Sequence, residues 1–240
     1  MIREEFLREA MLLGEENVEK LQKRTVAVFG LGGVGSFACE ALARSGIGHF
    51  ILVDDDVVAR SNINRQLIAL QDTIGKSKVD VMAQRIKNIN PDAEVIRYPC
   101  FYLPENREDI FERKIDYIVD AIDTVSAKID LALQAQEKKI LIVSAMGTGN
   151  KSNPCMLEVD DISHTSVCPL CRVMRRELKK RGVEKLKVVY SKEEPLMPNR
   201  IGAEKEGAHQ KRQTPGSLAF VPPVAGMILA AEVVKDLIAL

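Results

Sequence analysis

The chain has 240 residues, 34 Lys and Arg against 34 Asp and Glu, and 46% hydrophobic residues. That balance excludes a disordered tail and a protein that coats nucleic acid through bulk positive charge, so any polyanion site has to be a local patch. The longest uncharged run, from Gln213 to Ala231, is broken by Pro215, Gly216, Pro222, Pro223 and Gly226, which argues against a membrane span and reads as a buried strand and helix.

The start, Met1-Ile2-Arg3-Glu4-Glu5, is charged and lacks the apolar core of a secretory signal, so a cytoplasmic chain is expected. Short apolar runs then alternate with helix-period segments, the pattern of a parallel sheet covered by crossover helices. Strands are predicted at Thr25–Gly30, His49–Asp54, Ala93–Tyr98, Asp116–Ala121 and Ile140–Ala145, all rich in Val and Ile. Helices are predicted at Phe37–Arg44, at Ser77–Asn88 with Val79, Met82, Ala83 and Ile86 on one face, and at Ser126–Lys138. Asn90-Pro91 ends the second of these. The fold class expected is α/β, a doubly wound, mostly parallel, Rossmann-like sheet whose nucleotide-binding half is residues 1–147. After Gly147 the residues Gly149, Asn150, Ser152, Asn153 and Pro154 open a loop, and regular alternation is lost until about Lys185. Residues 148–240 therefore read as a less regular, basic substrate lobe within one domain spanning 1–240. In it Val167–Arg181 reads as a very basic helix, Leu186–Ser191 as a strand, Pro195–Pro215 as a polar, mobile stretch, and Val224–Leu240 as a helix packed back on the sheet.

Gly30-Leu31-Gly32-Gly33-Val34-Gly35 stands between a predicted strand and a predicted helix, the context that gives a Gly-x-Gly-x-x-Gly motif meaning. Its glycines let phosphate approach backbone amides at a helix N-terminus. About twenty residues on, Asp54 ends the second strand, where a carboxylate hydrogen-bonds ribose hydroxyls. A tight structural turn is the alternative. The glycine motif alone fits NAD as well as ATP, and the next segment decides. It reads Asp54-Asp55-Asp56-Val57-Val58-Ala59-Arg60-Ser61-Asn62-Ile63-Asn64-Arg65-Gln66, a polar cluster that a dehydrogenase has no use for and that a triphosphate site needs around its leaving pyrophosphate. Arg65 offers a planar fork for phosphate oxygens, and Asn62 and Gln66 can orient them; the alternative is a solvated loop. Gly75-Lys76-Ser77-Lys78 opens a helix and places Lys78 in its first turn, with Lys76 as a substitute. Asp123, beyond the fourth strand, is a natural magnesium ligand, whereas Asp120 reads as the cap of the following helix.

Gly-x-Gly-Gly-Val-Gly-Ser, Asp54-x-Asp56, Ser61-Asn62-x-Asn64-Arg65-Gln66, Gly75-x-x-Lys78 and Asp120-x-x-Asp123 resemble the ThiF/MoeB/HesA superfamily of ubiquitin-activating-like enzymes from about Leu7 to Ala145. The resemblance implies ATP and Mg2+ as cofactors and adenylation of a carboxylate. It implies Asp54 on ribose, Asn62, Arg65, Gln66 and Lys78 around the phosphates, and Asp123 on magnesium. It also implies a homodimer in which an N-terminal arginine reaches the partner's triphosphate. Arg8 is the best match, against a solvated Arg on an N-terminal helix. Ala41-Leu42-Ala43-Arg44-Ser45-Gly46-Ile47-Gly48, Ile89-Asn90-Pro91 and Asp120-Ala121-Ile122-Asp123 further resemble the tRNA threonylcarbamoyladenosine dehydratases. That likeness implies ATP-driven cyclisation of the threonylcarbamoyl group on tRNA, with an attacking atom already tethered beside the activated carbonyl.

The second half tests this. Five cysteines, Cys39, Cys100, Cys155, Cys168 and Cys171, are odd in number and scattered, as reduced thiols are. Relatives that activate carrier proteins often pair two Cys-x-x-Cys motifs on zinc. Here Cys168-Pro169-Leu170-Cys171 is a single pair with no cysteine after it, so helix-start thiols are the default, with Cys155 or His164 as candidate extra ligands. Gln213-Thr214-Pro215-Gly216-Ser217 holds no cysteine where some dehydratase relatives have one, which weighs against a sulfur relay. Arg172, Arg175, Arg176, Lys179, Lys180 and Arg181, with Lys185 and Lys187, form a basic face for tRNA phosphates; the alternative is a solvated helix. Lys205, Lys211 and Arg212 extend it, and His209 reads as surface. Two rivals stay open: adenylation of the C-terminus of a ubiquitin-like sulfur carrier, and a non-catalytic nucleotide-binding partner of a cysteine desulfurase or tRNA enzyme.

Overall fold

The computed structural model of the chain describes residues 2–197, 199 and 215–240. Strands β1 (Thr25–Phe29), β2 (His49–Val53), β3 (Glu94–Tyr98), β4 (Tyr117–Asp120), β5 (Leu141–Ala145), β6 (Leu157–Asp161) and β7 (Lys187–Ser191) make one seven-stranded sheet in the order β3-β2-β1-β4-β5-β7-β6. All neighbours run parallel except β6 against β7. The winding reverses between β1 and β4, which opens a crevice beyond the carboxyl ends of the strands.

The helices are α1 (Leu7–Leu13), α2 (Glu15–Gln22), α3 (Gly35–Arg44), α4 (Lys78–Ile89), α5 (Arg107–Phe111), α6 (Val125–Lys138), α7 (Pro169–Lys179) and α8 (Val221–Ile238). Alternate side chains of β1 face opposite layers. Val26 and Val28 join α3, α4 and α8 in one core, while Ala27 and Phe29 join α5 and α6 in the other. A third cluster gathers α6, α7 and β7 through Ile129, Met174, Leu178 and Tyr190. Both faces are covered, so the inner strands are mostly apolar, with Asp120 of β4 and Ser144 of β5 as buried polar exceptions. Helix α8 crosses α3 at Gly226, where a Cβ would lie 2.3 Å from the Val34 carbonyl oxygen, and this brings the start of α8 to the crevice. The two sequence halves share the sheet, since β7 pairs with β5.

The six strands predicted by residue range, Thr25–Gly30, His49–Asp54, Ala93–Tyr98, Asp116–Ala121, Ile140–Ala145 and Leu186–Ser191, are found, with ends shifted by a residue or so. Strand β6 was not predicted: its alternation, Leu157-Glu158-Val159-Asp160, is only four residues long and carries acidic residues, as an edge strand protected by charge does. The strand expected before the last helix is absent from the described residues; Pro215–Phe220 are irregular and α8 begins at Val221. Pro222 and Pro223 fall in its first turn, where a missing N–H costs nothing. The basic helix is shorter than predicted, starting after Cys168. Most of the polar stretch expected to be mobile, including Lys205, His209, Lys211 and Arg212, lies outside the described residues. Among those described, no helix is long and apolar enough to cross a membrane.

Candidate nucleotide site

After Phe29 the chain turns through Gly30 at φ +87° into α3. A Cβ on Gly30 would sit 2.7 Å from the Ala121 carbonyl oxygen, and one on Gly35 only 1.8 Å from the Gly30 oxygen. Backbone occupies both places, so neither position admits a side chain. The Gly32 carbonyl accepts the Ser36 amide at 3.1 Å and the Ser36 hydroxyl at 2.6 Å. That hydroxyl oxygen accepts the Leu67 amide at 3.2 Å, tying the glycine loop to the segment that carries Arg65. A Cβ on Gly33 would meet Pro222 at 3.0 Å and Arg65 at 3.3 Å. The glycine loop, the Arg65 segment and the start of α8 therefore converge.

They bound a crevice of about 460 Å³ that also takes in the ends of β2, β4 and β5. Gly30, Gly32, Gly33, Asp54, Asp56, Asn62, Arg65, Gln66, Lys78 and Asp123 all line it, while Gly35 lies beneath. A larger groove of about 820 Å³ runs between the 67–77 segment and α4. It lacks the glycine loop and the convergent polar groups, so the smaller crevice is the candidate site. Lys76 faces that other groove, and Lys78 alone reaches the crevice.

The polar groups are arranged as follows. Asp54 accepts the amides of Leu31 at 2.6 Å and Asp56 at 2.9 Å. Burial pushes its carboxyl above the usual carboxylate range, against the opposing pull of the Lys78 ammonium. Lys78 is buried in the first turn of α4, with Nζ 2.5 Å from Asp56 and 3.7 Å from Asp54. Arg65 is held by the Ser61 carbonyl at 3.1 Å and by Asn64 Oδ1 at 2.9 Å, and no carboxylate among the described residues pairs with it. Asn62 Oδ1 accepts the Ala59 amide at 3.0 Å, leaving its amide group for a ligand. Gln66 is buried and its Oε1 has no hydrogen-bond partner, an orphan that a bound polar ligand or water would satisfy. Asp123 is exposed on the rim, with Thr124 Oγ1 at 3.5 Å and no cation beside it among the described residues.

Asp120 is corrected. It does not cap α6, whose N-cap is Thr124; it is fully buried against Lys128, because the last residue of β4 points beneath the crevice. Lys128 itself was missed. Its signal was a Lys inside a helix buried from Ala127 to Ala132, where a solvated lysine has no place. Two wall segments also escaped sequence reasoning, Cys100–Tyr102 and Met146–Gly149. Tyr102 packs edge-on to Phe29 with centroids 5.0 Å apart and donates to Asp130 at 2.7 Å; Arg107 completes that group at 2.6 Å.

Away from the crevice, Arg8 is exposed on α1. On α7, Arg172, Arg176 and Lys179 are exposed, as are Lys180 and Arg181 just after it. Arg181, Lys180 and Arg176 surround Glu177 at 2.9, 3.2 and 3.1 Å and draw its carboxyl down to about 2. Arg175 instead turns inward, donating to the Ile162 carbonyl at 3.0 Å and to Thr165 at 2.9 and 2.8 Å. Lys187 is taken by Asp236 and Glu232. Cys168 caps α7 and Cys171 sits in its first turn, both buried and free. The Cys171 thiol and nearby amides hold the Cys168 thiol below the usual thiol range, and the same contact pushes Cys171 up. No third metal-ligand side chain joins them among the described residues, and His164 pairs with Asp160 at 3.0 Å.

Comparison with known proteins places this geometry. The ThiF family profile matches residues 6–239. The chain is 43% identical to the tRNA threonylcarbamoyladenosine dehydratase of Bacillus subtilis, over 98% of this chain and 94% of that protein. It is 39% identical to the protein of that name from Escherichia coli, over 74% of this chain and 66% of the relative. The crystal structure of E. coli tRNA N6-threonylcarbamoyladenosine dehydratase, TcdA, in complex with ATP aligns with a TM-score of 0.88 at 32% identity, covering 99% of this chain and 95% of that one. The chain belongs to the ThiF family, and among the tRNA threonylcarbamoyladenosine dehydratases it resembles, the B. subtilis protein matches it along almost its whole length.

Proposed function

We propose that this protein is an ATP-dependent enzyme that dehydrates N6-threonylcarbamoyladenosine in tRNA by adenylating the threonyl carboxylate. The observation that carries the reading is the crevice, where the glycine loop, Asp54, Arg65, Gln66 and Lys78 converge, in a chain similar over 98% of its length to a protein of that name. A carboxylate is a poor electrophile because hydroxide is a poor leaving group. Attack of a carboxylate oxygen on the α-phosphorus of ATP expels pyrophosphate and leaves an acyl-adenylate. The carbamoyl group of the same nucleoside then attacks the acyl carbon and expels AMP, which carries away the former carboxylate oxygen. The attacking atom is tethered, so no protein nucleophile is needed.

In this reading Asp54 holds ribose, the glycine-loop amides and Gln66 hold phosphate, and Arg65 and Lys78 offset charge on the departing pyrophosphate. Lys78 is preorganised by Asp56 and Asp54 rather than free. Asp123 fits a magnesium ion, being an oxygen donor on the rim with no cation beside it among the described residues; the ion supplies charge that neutralises phosphate oxygens. Arg8 does not line its own crevice, so we assign it to the crevice of a second copy. The exposed Leu7, Met11 and Leu12 of α1 supply the apolar contact for that homodimer. The exposed cations of α7 hold tRNA phosphates, and the whole chain acts as one cytoplasmic catalytic domain.

The test is mass spectrometry of nucleosides from threonylcarbamoyladenosine-bearing tRNA after incubation with the protein, ATP and Mg2+. The expected product is lighter by one water and requires ATP. An unchanged nucleoside from folded, ATP-binding protein would overturn the reading and direct the search to a carrier-protein carboxylate.

A further inference from the structure

Under the floor of the crevice lies a charge pair shut off from solvent. Lys128 and Asp120 are both 0% exposed. The Lys128 ammonium lies 3.1 Å from each Asp120 carboxylate oxygen, 3.3 Å from Ser144 Oγ and 2.7 Å from the Ala145 carbonyl. Ser144 also donates to Asp120. A buried ion pair is a weak source of stability, since apolar residues of similar volume often serve as well or better. Its value here is geometric.

The anchors stand on three elements: Lys128 on α6, Asp120 at the end of β4, and Ser144 and Ala145 at the end of β5. The two strands are paired neighbours with Asp120 opposite Ser144, and beyond that last pair each runs on into its own segment of the crevice wall. Beyond β4 comes Ala121–Thr124, which seats Gly30 against the Ala121 carbonyl and carries Asp123, with the Ile122 amide returning to Asp120 at 3.3 Å. Beyond β5 comes Met146–Gly149, which faces Leu170 of α7 and Pro215. One ammonium thus bridges the wall beside the nucleotide and the wall nearest the second half of the chain.

We propose that Lys128 is a positioning residue that fixes these two walls relative to each other beyond the end of the β4–β5 ladder, so that the α-phosphorus held by one meets the carboxylate held by the other. The inference rests on the adenylation reading above. Its consequence is specific: alignment of two bound groups governs turnover, whereas each wall alone governs the affinity of its own ligand.

The decisive variant is the full chain with Lys128→Met and Asp120→Asn together, which removes the tie without leaving a lone buried charge. Amide hydrogen exchange should quicken at Ala121–Thr124 and Met146–Thr148 together, by about tenfold or more, while α3 stays protected. With tRNA and ATP, kcat should fall by about a hundredfold and the KM for ATP should move by less than about threefold. Lys128→Arg, which keeps a cation, should recover part of the lost kcat. Ser144→Ala, which leaves the ion pair, should loosen Met146–Thr148 alone and covers the case in which the double variant fails to fold. Unchanged exchange at either wall in the double variant, or at Met146–Thr148 in Ser144→Ala where the double variant does not fold, would overturn the proposal. So would full kcat, or a raised KM at unchanged kcat. If wild-type protein leaves the nucleoside unchanged, the function reading fails by itself; hydrogen exchange needs no substrate and still decides whether Lys128 couples the walls.

Discussion

The crevice and the basic face of α7 handle charge in opposite ways. In the crevice, Gly30 and Gly35 touch backbone oxygens, Asp54 is desolvated, and Lys78 is buried between two carboxylates. On α7 the cations stand in solvent, and three of them share Glu177 through pairs that water and salt screen. A small ligand is bound by groups fixed in advance, so single changes there should act nearly all or none. A large polyanion is bound by the number of cations presented, so changes there should act in increments.

The most severe change should be Gly35→Ala. Its Cβ would lie 1.8 Å from the Gly30 oxygen, and because a backbone atom cannot yield cheaply, a loss of about 3 kcal/mol or more is expected in a denaturant melt, with ATP binding abolished. Normal calorimetric binding of ATP by that variant would mean that the loop is not tightly built. Arg65→Ala should leave the melt unaltered, because the guanidinium holds only Ser61 and Asn64. Pyrophosphate exchange should nevertheless drop by about a hundredfold or more, and retained exchange would remove Arg65 from the mechanism.

On α7 the comparison sharpens. Reversing Arg172 and Lys179 to Glu should raise the KM for tRNA by about tenfold near physiological salt and flatten its salt dependence by about one unit of slope per charge. The KM for ATP should stay put; if it moved in parallel, the two regions would not be independent. Arg175→Glu should instead destabilise the fold, since Arg175 ties α7 to Thr165 and Ile162. The smallest effect concerns Asp54. Burial raises its carboxyl, so its cost to folding is absent below the ordinary carboxylate range and complete above the raised value. Asp54→Asn removes the ionisation but leaves one of the Leu31 and Asp56 amides facing an NH2 group, a loss that does not depend on pH. The melting temperature of the nucleotide-free variant relative to wild type should therefore be less unfavourable at pH 7 than below the carboxylate range. An equal difference at both ends would mean that the cost is not one of ionisation.

How much of this could be read in advance followed the same divide. Strands β1, β2, β4 and β5 are buried on both faces and therefore announce themselves as apolar runs. The glycine loop, Asp54, Arg65, Gln66 and Lys78, which the fold gathers at one crevice, could be picked out because a phosphate site would need fixed residue types at fixed spacing beside such strands. Strand β6 was not, because its pairing with β7 is tertiary and its residues look like a loop. Lys128 was not, because only the fold shows that its helix is buried and that β4 and β5 meet beneath it. Arg175 looked like its neighbours on α7 until the preceding turn was seen to need a donor.

The central claim is that a nucleoside carboxylate is adenylated, and isotope transfer tests it most directly. tRNA carrying threonylcarbamoyladenosine with heavy oxygen in its threonyl carboxylate would be turned over with unlabelled ATP, and the AMP analysed by mass spectrometry. The account expects each AMP to gain one labelled oxygen as the nucleoside loses water. Unlabelled AMP beside dehydrated nucleoside would contradict it.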